Sequence, residues 1–422
     1  MTSPTEEVPP SALPVRTPGS EDLARYPFRS PPGDPFCLFG PADRAALAAP
    51  VVPARLPTGR QVWLFTRYQD AKEILRSDAF SSDVFAPGFP LPMGPPPDTP
   101  DWRRGALVWM DGRRHAGQRR LIAGEFVMKS VRRVEHLIAG TVDEVLDVFE
   151  AAGPDADLVR HVSLPMPSLT LCDVLGVPRA DRDFFQRRGE QMLGWSTPPE
   201  RALAARAELR EHLGSLIRAE SAAATRSDTM LGRLVADRLD TGQADIEDLT
   251  GLILQLQVAG HETTADMISL STLLLLRHPE HFAALRTDPA SVEPVLEELL
   301  RYLTVIRLGT PRLALRDVEV GGHQVRAGDG VFVMLAVADR DRAEFGADAE
   351  IFDPGRRAHA NLAFGFGPHQ CLGQSLARLQ LRLLLARVAR RFPRLSLASD
   401  APPTANRLPT IVYGLTRLPV RW

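Results

Sequence analysis

The chain is 422 residues long, a length that corresponds to roughly two or three average domains or to one large one. Apolar residues make up 44% and charged residues 24%, the balance of a globular protein and unlike that of a disordered or fibrous chain. Fifty basic against fifty-two acidic side chains leave a formal charge of -2, so no overall field draws the protein to nucleic acid or anionic lipid, and a docking face for a charged partner has to be local.

Three cysteines, Cys37, Cys172 and Cys371, are too few and too scattered for a disulfide framework or a CxxC zinc site, and they fit a reducing compartment. The N-terminus, MTSPTEEVPP, lacks the basic start and apolar stretch of a secretory signal. Apolar runs such as residues 273–276 fall far short of the roughly 18 residues of a membrane span. The expectation is a cytoplasmic protein with neither nucleic acid nor membrane as a partner.

Residues 1–35 are rich in Pro, Ser and Gly and read as an irregular surface arm ahead of one folded domain over residues 36–422. Alternation predicts a short strand over 60–65. The Pro-rich stretch 86–100, with Phe89, Leu91 and Met93, can be neither helix nor central strand. It reads as a surface loop, the alternative being a loop folded over a ligand. From about Arg119 helical periodicity dominates, with Leu137, Val142, Val145, Leu146 and Val148 in one segment and residues 203–217 in another. The longest helix starts at Asp245, which can cap it, with Glu247 and Asp248 in its first turn. Nothing stops it before His278-Pro279, giving about 33 residues, or ~50 Å. Further strands are predicted over 318–320 and 331–333. The fold class is mainly α with small β-sheets.

The segment Phe364-Gly-Phe-Gly-Pro-His-Gln-Cys-Leu-Gly373 is the most specific. Gly365, Gly367 and Gly373 let the backbone approach closely, and an apolar-periodic helix follows from Ser375. Cys371 therefore sits at a helix N-terminus, where N–H groups favour a thiolate that can serve as nucleophile or as axial metal ligand. Cys37 and Cys172 read as small buried apolar residues.

With Phe364, Gly367, Cys371 and Gly373 at every fixed position of Phe-x-x-Gly-x-x-x-Cys-x-Gly, the chain resembles the cytochrome P450 superfamily of heme-thiolate monooxygenases. The resemblance runs from Asp111 to Leu397 and implies heme b (iron protoporphyrin IX) between the long helix and the cysteine loop, with Cys371 as the metal ligand. Ala259-Gly-His-Glu-Thr-Thr264 looks like the family's oxygen-binding groove. Gly260 would open room beside a planar cofactor, and the Thr263 hydroxyl would bond back to the helix and widen a turn. The resemblance assigns Glu262 and Thr263 the catalytic delivery of protons to dioxygen. Cofactor binding falls to Ala259, Gly260, Phe364, Gly365, Cys371 and Gly373, and to His115, Arg119, Arg312 and His369 at the propionates. Glu298, Arg301 and Arg356 match the family's supporting ion-pair network. Gly112-Arg113, where many bacterial relatives have Pro-Pro, and Asn361, in place of a common His, depart from the pattern.

The resemblance implies insertion of one dioxygen atom into a small apolar organic substrate within secondary metabolism, with electrons from NAD(P)H through a ferredoxin reductase and a ferredoxin. Arg113, Arg114, Arg120, Arg378 and Arg382 would form the face that docks the acidic carrier. Pocket candidates are Phe89, Met93, Met192, Trp195, Leu254, Val258, Val305 and Ile411. The alternatives are the same oxidant used for coupling or desaturation, a peroxide-driven hydroxylase, and a non-catalytic docking module. Glu262 and Thr263 argue against the second, and Cys371 against the third.

Overall fold

The structure is a computed structural model that describes residues 23–28, 31, 33–92, 98–193, 197–356, 361–398, 404–405 and 412–422. The long helix is present as read, over Ile246–Arg277. The Asp245 carboxylate caps it by accepting from the Asp248 N–H at 2.7 Å, and the helix ends at His278 ahead of Pro279. Apolar side chains on most of its circumference make it the axis of the largest core.

Helices Glu135–Ala151, Pro165–Leu175, Arg182–Leu193 and Pro199–Ala222 belong to the same helical body. Ile138, Val142, Val145 and Phe149 form the buried stripe of the first of these, spaced i, i+4, i+7, i+11 as a helix facing a core requires. Leu137 and Val148, counted with the core face by sequence, lie off that stripe at 39% and 56% exposure, and Leu203 is equally off its own. One crossing is set by two glycines. A Cβ on Gly105, which has φ +66°, would lie 2.3 Å from the Gly251 carbonyl carbon, and a Cβ on Gly251 would lie 2.4 Å from the Arg104 oxygen. Neither position tolerates a side chain, so the 104–109 segment is clamped onto the long helix.

The main sheet has six strands, β1 (Ala24–Arg25), β2 (Val51–Arg55), β3 (Gln61–Phe65), β4 (Phe80–Ser81), β5 (Thr310–Ala314) and β8 (Gly330–Val333), in the order β1-β2-β3-β8-β5-β4. β6 (Val318–Val320) and β7 (His323–Val325) form a hairpin. The three strands predicted from alternation are β3, β6 and β8. The surface-arm expectation fails for residues 24–28. β1 pairs in parallel with β2, and Tyr26 and Phe28 are buried with edge-to-face ring contacts at 5.3 Å between them and 5.0 Å from Tyr26 to Phe332. Two large apolar rings outweigh the irregular composition around them. The first part of the Pro-rich loop lies on the sheet, where a Cβ at Gly330 would meet the Pro90 ring at 2.6 Å.

The cysteine loop rests on a buried polar hub. Arg301, in helix Val292–Leu303, donates to both Glu298 carboxylate oxygens at 2.7 Å and to the carbonyls of Asp339, Ala349 and Ile351 at 2.6, 2.8 and 3.1 Å. Arg356 lies 3.5 Å from Glu298. The Asp339 carboxylate in turn accepts from the Leu362 N–H at 2.7 Å, tying the hub to the strand of chain that leads into the loop. Asn361 keeps its place in this support by donating to Glu297 at 3.0 Å. Among the described residues no helix is long and apolar enough to cross a membrane.

Candidate active site

Cys371 precedes helix Gln374–Arg391. Its N–H donates to the Phe364 carbonyl at 2.8 Å, which closes the loop on itself. The turn needs glycine at one point above all: Gly367 has φ +74°, and a Cβ there would lie 2.6 Å from the Leu75 carbonyl oxygen. Gly365, at φ +68°, and Gly373 have open space where a Cβ would stand. The Arg378 guanidinium stacks 4.5 Å from the Phe364 ring centre and pairs with Glu297 at 2.5 Å.

Phe364, Gly365, Cys371 and Gly373 line a cavity of about 390 Å³, whose opposite wall is the long helix at Ala259, Gly260 and Thr263. Burial raises the Cys371 thiol, while the Gly373 and Gln374 N–H groups and the Arg119 and Arg378 charges pull it back. Cys371 is itself exposed to the cavity, so the surrounding loop raises the thiol while leaving its face open to a ligand.

The same cavity takes His115, Arg119, Arg312 and His369 into its wall. The His115 and His369 rings lie tilted by 32° with centres 4.1 Å apart, and Arg119 donates to the Gln370 carbonyl at 2.8 Å. Burial, then the neighbouring His369 and Arg119, push His115 down to about 4, so it is neutral near pH 7. Its Nε2 is buried without a hydrogen-bond partner. Burial lowers Arg312 to about 10, leaving it charged. Sequence reasoning missed Asp111, whose position before a helix was the available signal. Burial pushes its carboxyl up, but His369, Ser81 and the Ser82 N–H outweigh that and hold it at about 2, so it steadies His369.

One groove expectation is corrected. The α-helical ladder is unbroken through residues 259–264, with no widened turn, although Thr263 does donate to the Ala259 carbonyl at 2.7 Å. That bond uses a lone pair of an oxygen that the ladder leaves otherwise intact. A Cβ on Gly260 would lie 3.3 Å from the methyl groups of Leu171, which lines the same cavity, so the glycine makes room at that point of the cavity wall. Glu262 and Thr263 are also parted. Thr263 faces the large cavity, whereas Glu262, about 100° further round the helix, borders a separate small one together with Val258 and His261. Burial, and then Glu190, raise Glu262 to about 7. Of the pocket candidates, Val305 lines the large cavity and Val258 the small one, Phe89, Met192 and Leu254 line neither, and Met93, Trp195 and Ile411 fall outside the described residues.

The family model described as Cytochrome P450 matches residues 200–420. Over the full length of both chains the protein is 38% identical to Cytochrome P450-SU2 of Streptomyces griseolus. This chain belongs to the cytochrome P450 family. The Vitamin D3 dihydroxylase of Streptomyces griseolus is 39% identical, covering 96% of this P450 and 98% of its own length. The crystal structure of the mycinamicin VIII C21 methyl hydroxylase of Micromonospora griseorubida superposes with a TM-score of 0.86 at 34% identity, covering 95% of this chain and 100% of that one. This P450 is thus a monooxygenase, with the family's heme-thiolate cofactor, an organic substrate and redox partners. Its residues fit that cofactor: a thiol borders the cavity, two guanidinium groups and two imidazoles gather at the wall, and the buried His115 Nε2 has no hydrogen-bond partner.

Proposed function

We propose that this P450 binds heme b and oxidises an apolar small molecule of secondary metabolism. The observation that carries the reading is the single cavity that brings Cys371, the four propionate-type partners and Thr263 together over an otherwise largely apolar lining. Cys371 would ligate the iron, Arg119 and Arg312 would neutralise the two propionates, and His115 and His369 would donate hydrogen bonds to them. When bound, the heme supplies the activation of dioxygen.

The protein's own part is to place substrate and protons. Apolar side chains such as Leu256, Leu252 and Val305 exclude water from the reacting end of the cavity. Thr263, with its proton committed to the Ala259 carbonyl, offers lone pairs to an incoming proton. Glu262 is half-protonated near neutral pH, which suits a group that gives and regains a proton in each turnover. The same oxidant turned to coupling or desaturation has no particular observation in its favour.

We further assign electron supply to a ferredoxin and an NAD(P)H-dependent ferredoxin reductase, and the cytoplasm as the compartment, in keeping with three free cysteines. The docking face narrows relative to the sequence reading. Arg378 is held by Glu297, Arg382 lies 3.7 Å from Glu135 and Arg114 donates to the Arg103 carbonyl at 2.9 Å, which leaves Arg113 and Arg120, exposed on helix Gly112–Ala123. The test of function is a small-molecule screen on the ferric holoenzyme, read as displacement of the sixth iron ligand in the absorption spectrum. Apolar compounds should produce the shift and yield oxygenated products. A protein that shifts with none, and that consumes no reducing equivalents with any of them, would contradict the reading.

A further inference from the structure

The corner where the long helix gives way to helix Pro279–Thr287 gathers two imidazoles and a carboxylate. His278, Glu280 and His281 each offer one ligand atom, and the three atoms lie within 4.8 Å of one another. The His278 Nδ1 is 3.4 Å from a Glu280 carboxylate oxygen, and the His281 Nε2 is 3.8 Å from the same oxygen. Ligands at the bond lengths of a tetrahedral zinc site, roughly 2.0–2.1 Å, stand about 3.4 Å apart. Two of the three separations are thus near their bound values, and a small turn of the side chains closes the third. Both imidazoles pack on the buried Phe352 ring, with centres 5.2 and 5.6 Å from its own, so they are held together before any ion arrives. The adjacent cation does not compete, because Arg277 pairs with Asp34 at 3.0 Å and lies over the Phe36 ring. Among the described residues neither imidazole has a polar side-chain partner other than Glu280. All three side chains reach solvent, which leaves room for water as a fourth ligand. The carbonyls that end the long helix offset the N-terminus of the next one, and Glu280 adds a formal negative charge. None of the three residues borders the large or the small cavity.

We propose that His278, Glu280 and His281 form a surface site for one divalent transition-metal ion of the zinc and nickel class, which staples the end of the long helix to the start of the helix after it. Two imidazole nitrogens with one carboxylate oxygen suit such ions, whereas calcium and magnesium take oxygen ligands. The staple lies against the support of the cysteine loop: Phe352, packed on both imidazoles, precedes Asp353, whose N–H donates to Glu298 at 3.0 Å.

The test titrates the holoenzyme with zinc chloride. Calorimetry should find one saturable equivalent. X-ray absorption at the zinc edge, which the heme iron leaves clear, should show two imidazole nitrogens together with oxygens at about 2.0–2.1 Å. His281→Ala and Glu280→Gln should each weaken binding by about tenfold or more, while His136→Ala, at an exposed histidine elsewhere, should leave it unchanged. At about a hundredfold excess over the dissociation constant, zinc should raise the thermal midpoint of the parent by about 3 °C and leave that of the His278→Ala/His281→Ala double variant where it was. Should a histidine variant fail to fold, Glu280→Gln still reports on the site, since that side chain is 62% exposed. A zinc shell containing sulfur, which would put the ion on a cysteine, would overturn the proposal. So would parental affinity in both His281→Ala and Glu280→Gln, or a titration of the parent that does not saturate.

Discussion

Replacing Arg301 by alanine removes five donated hydrogen bonds at once, two to Glu298 and three to backbone carbonyls. On an exposed helix an i, i+3 pair of this kind would be worth about 0.2–0.5 kcal/mol. Here Glu298 and Arg301 are 5% and 3% exposed, and stripping one partner from a buried pair costs about 3–5 kcal/mol because the other charge is left uncompensated. Arg356, 3.5 Å from Glu298, cushions part of that loss, while the three orphaned carbonyls add roughly 1 kcal/mol each. Even the buried pair's own share, about 3–5 kcal/mol, is a large part of the roughly 5–15 kcal/mol that holds a protein folded. Denaturant unfolding of the holoenzyme should show the midpoint falling steeply in Arg301→Ala, with heme content falling in parallel because the hub carries the chain into the cysteine loop. Arg301→Lys, which keeps the charge but not the forked geometry, should fall in between. A variant with the parental midpoint and full heme would refute the argument that burial gives this pair its weight.

Thr263→Ala should keep substrate affinity while diverting electrons to hydrogen peroxide, seen as peroxide formed per reducing equivalent, since the hydroxyl that faces the cavity is lost with little volume. Glu262, raised from 4.5 to about 7 by burial and Glu190, holds a proton in the folded state that the unfolded chain has released between those two values. Stability from this group is therefore full below its unfolded value and falls as pH rises through the window, by about 3 kcal/mol in all. Glu262→Gln should be as stable as the parent at low pH and more stable above about pH 7; an equal gap at both pH values would count against the buried-acid assignment. Arg113→Glu with Arg120→Glu should slow first electron transfer from ferredoxin, by a factor that shrinks as salt screens the field over about 8–10 Å.

The long helix was legible because its signals are local: Asp245 caps it, Pro279 ends it, and little between breaks the period. The cysteine loop was legible because Gly367 and Cys371 must stand at fixed spacing for the turn to pass Leu75. Residues 24–28 misled because composition says nothing of Tyr26, which finds Phe332 some 300 residues on, or of Phe28, which packs on Tyr26 and Phe39. The small cavity beside Glu262 was beyond reach, since Gln257 and His261 read as ordinary polar residues until helices Pro165–Leu175 and Arg182–Leu193 close over them. Ionisation was equally hidden, because the rise of Cys371 comes from burial in a loop that sequence places beside favourable N–H groups.

The central claim is that Cys371, facing the large cavity, is the thiolate that holds the heme iron. The absorption spectrum of the ferrous protein under carbon monoxide tests it most directly. The parent should show the strongly red-shifted band of thiolate ligation, and Cys371→His, loaded with heme to the same extent, should lose it. An identical spectrum from both proteins would contradict the claim.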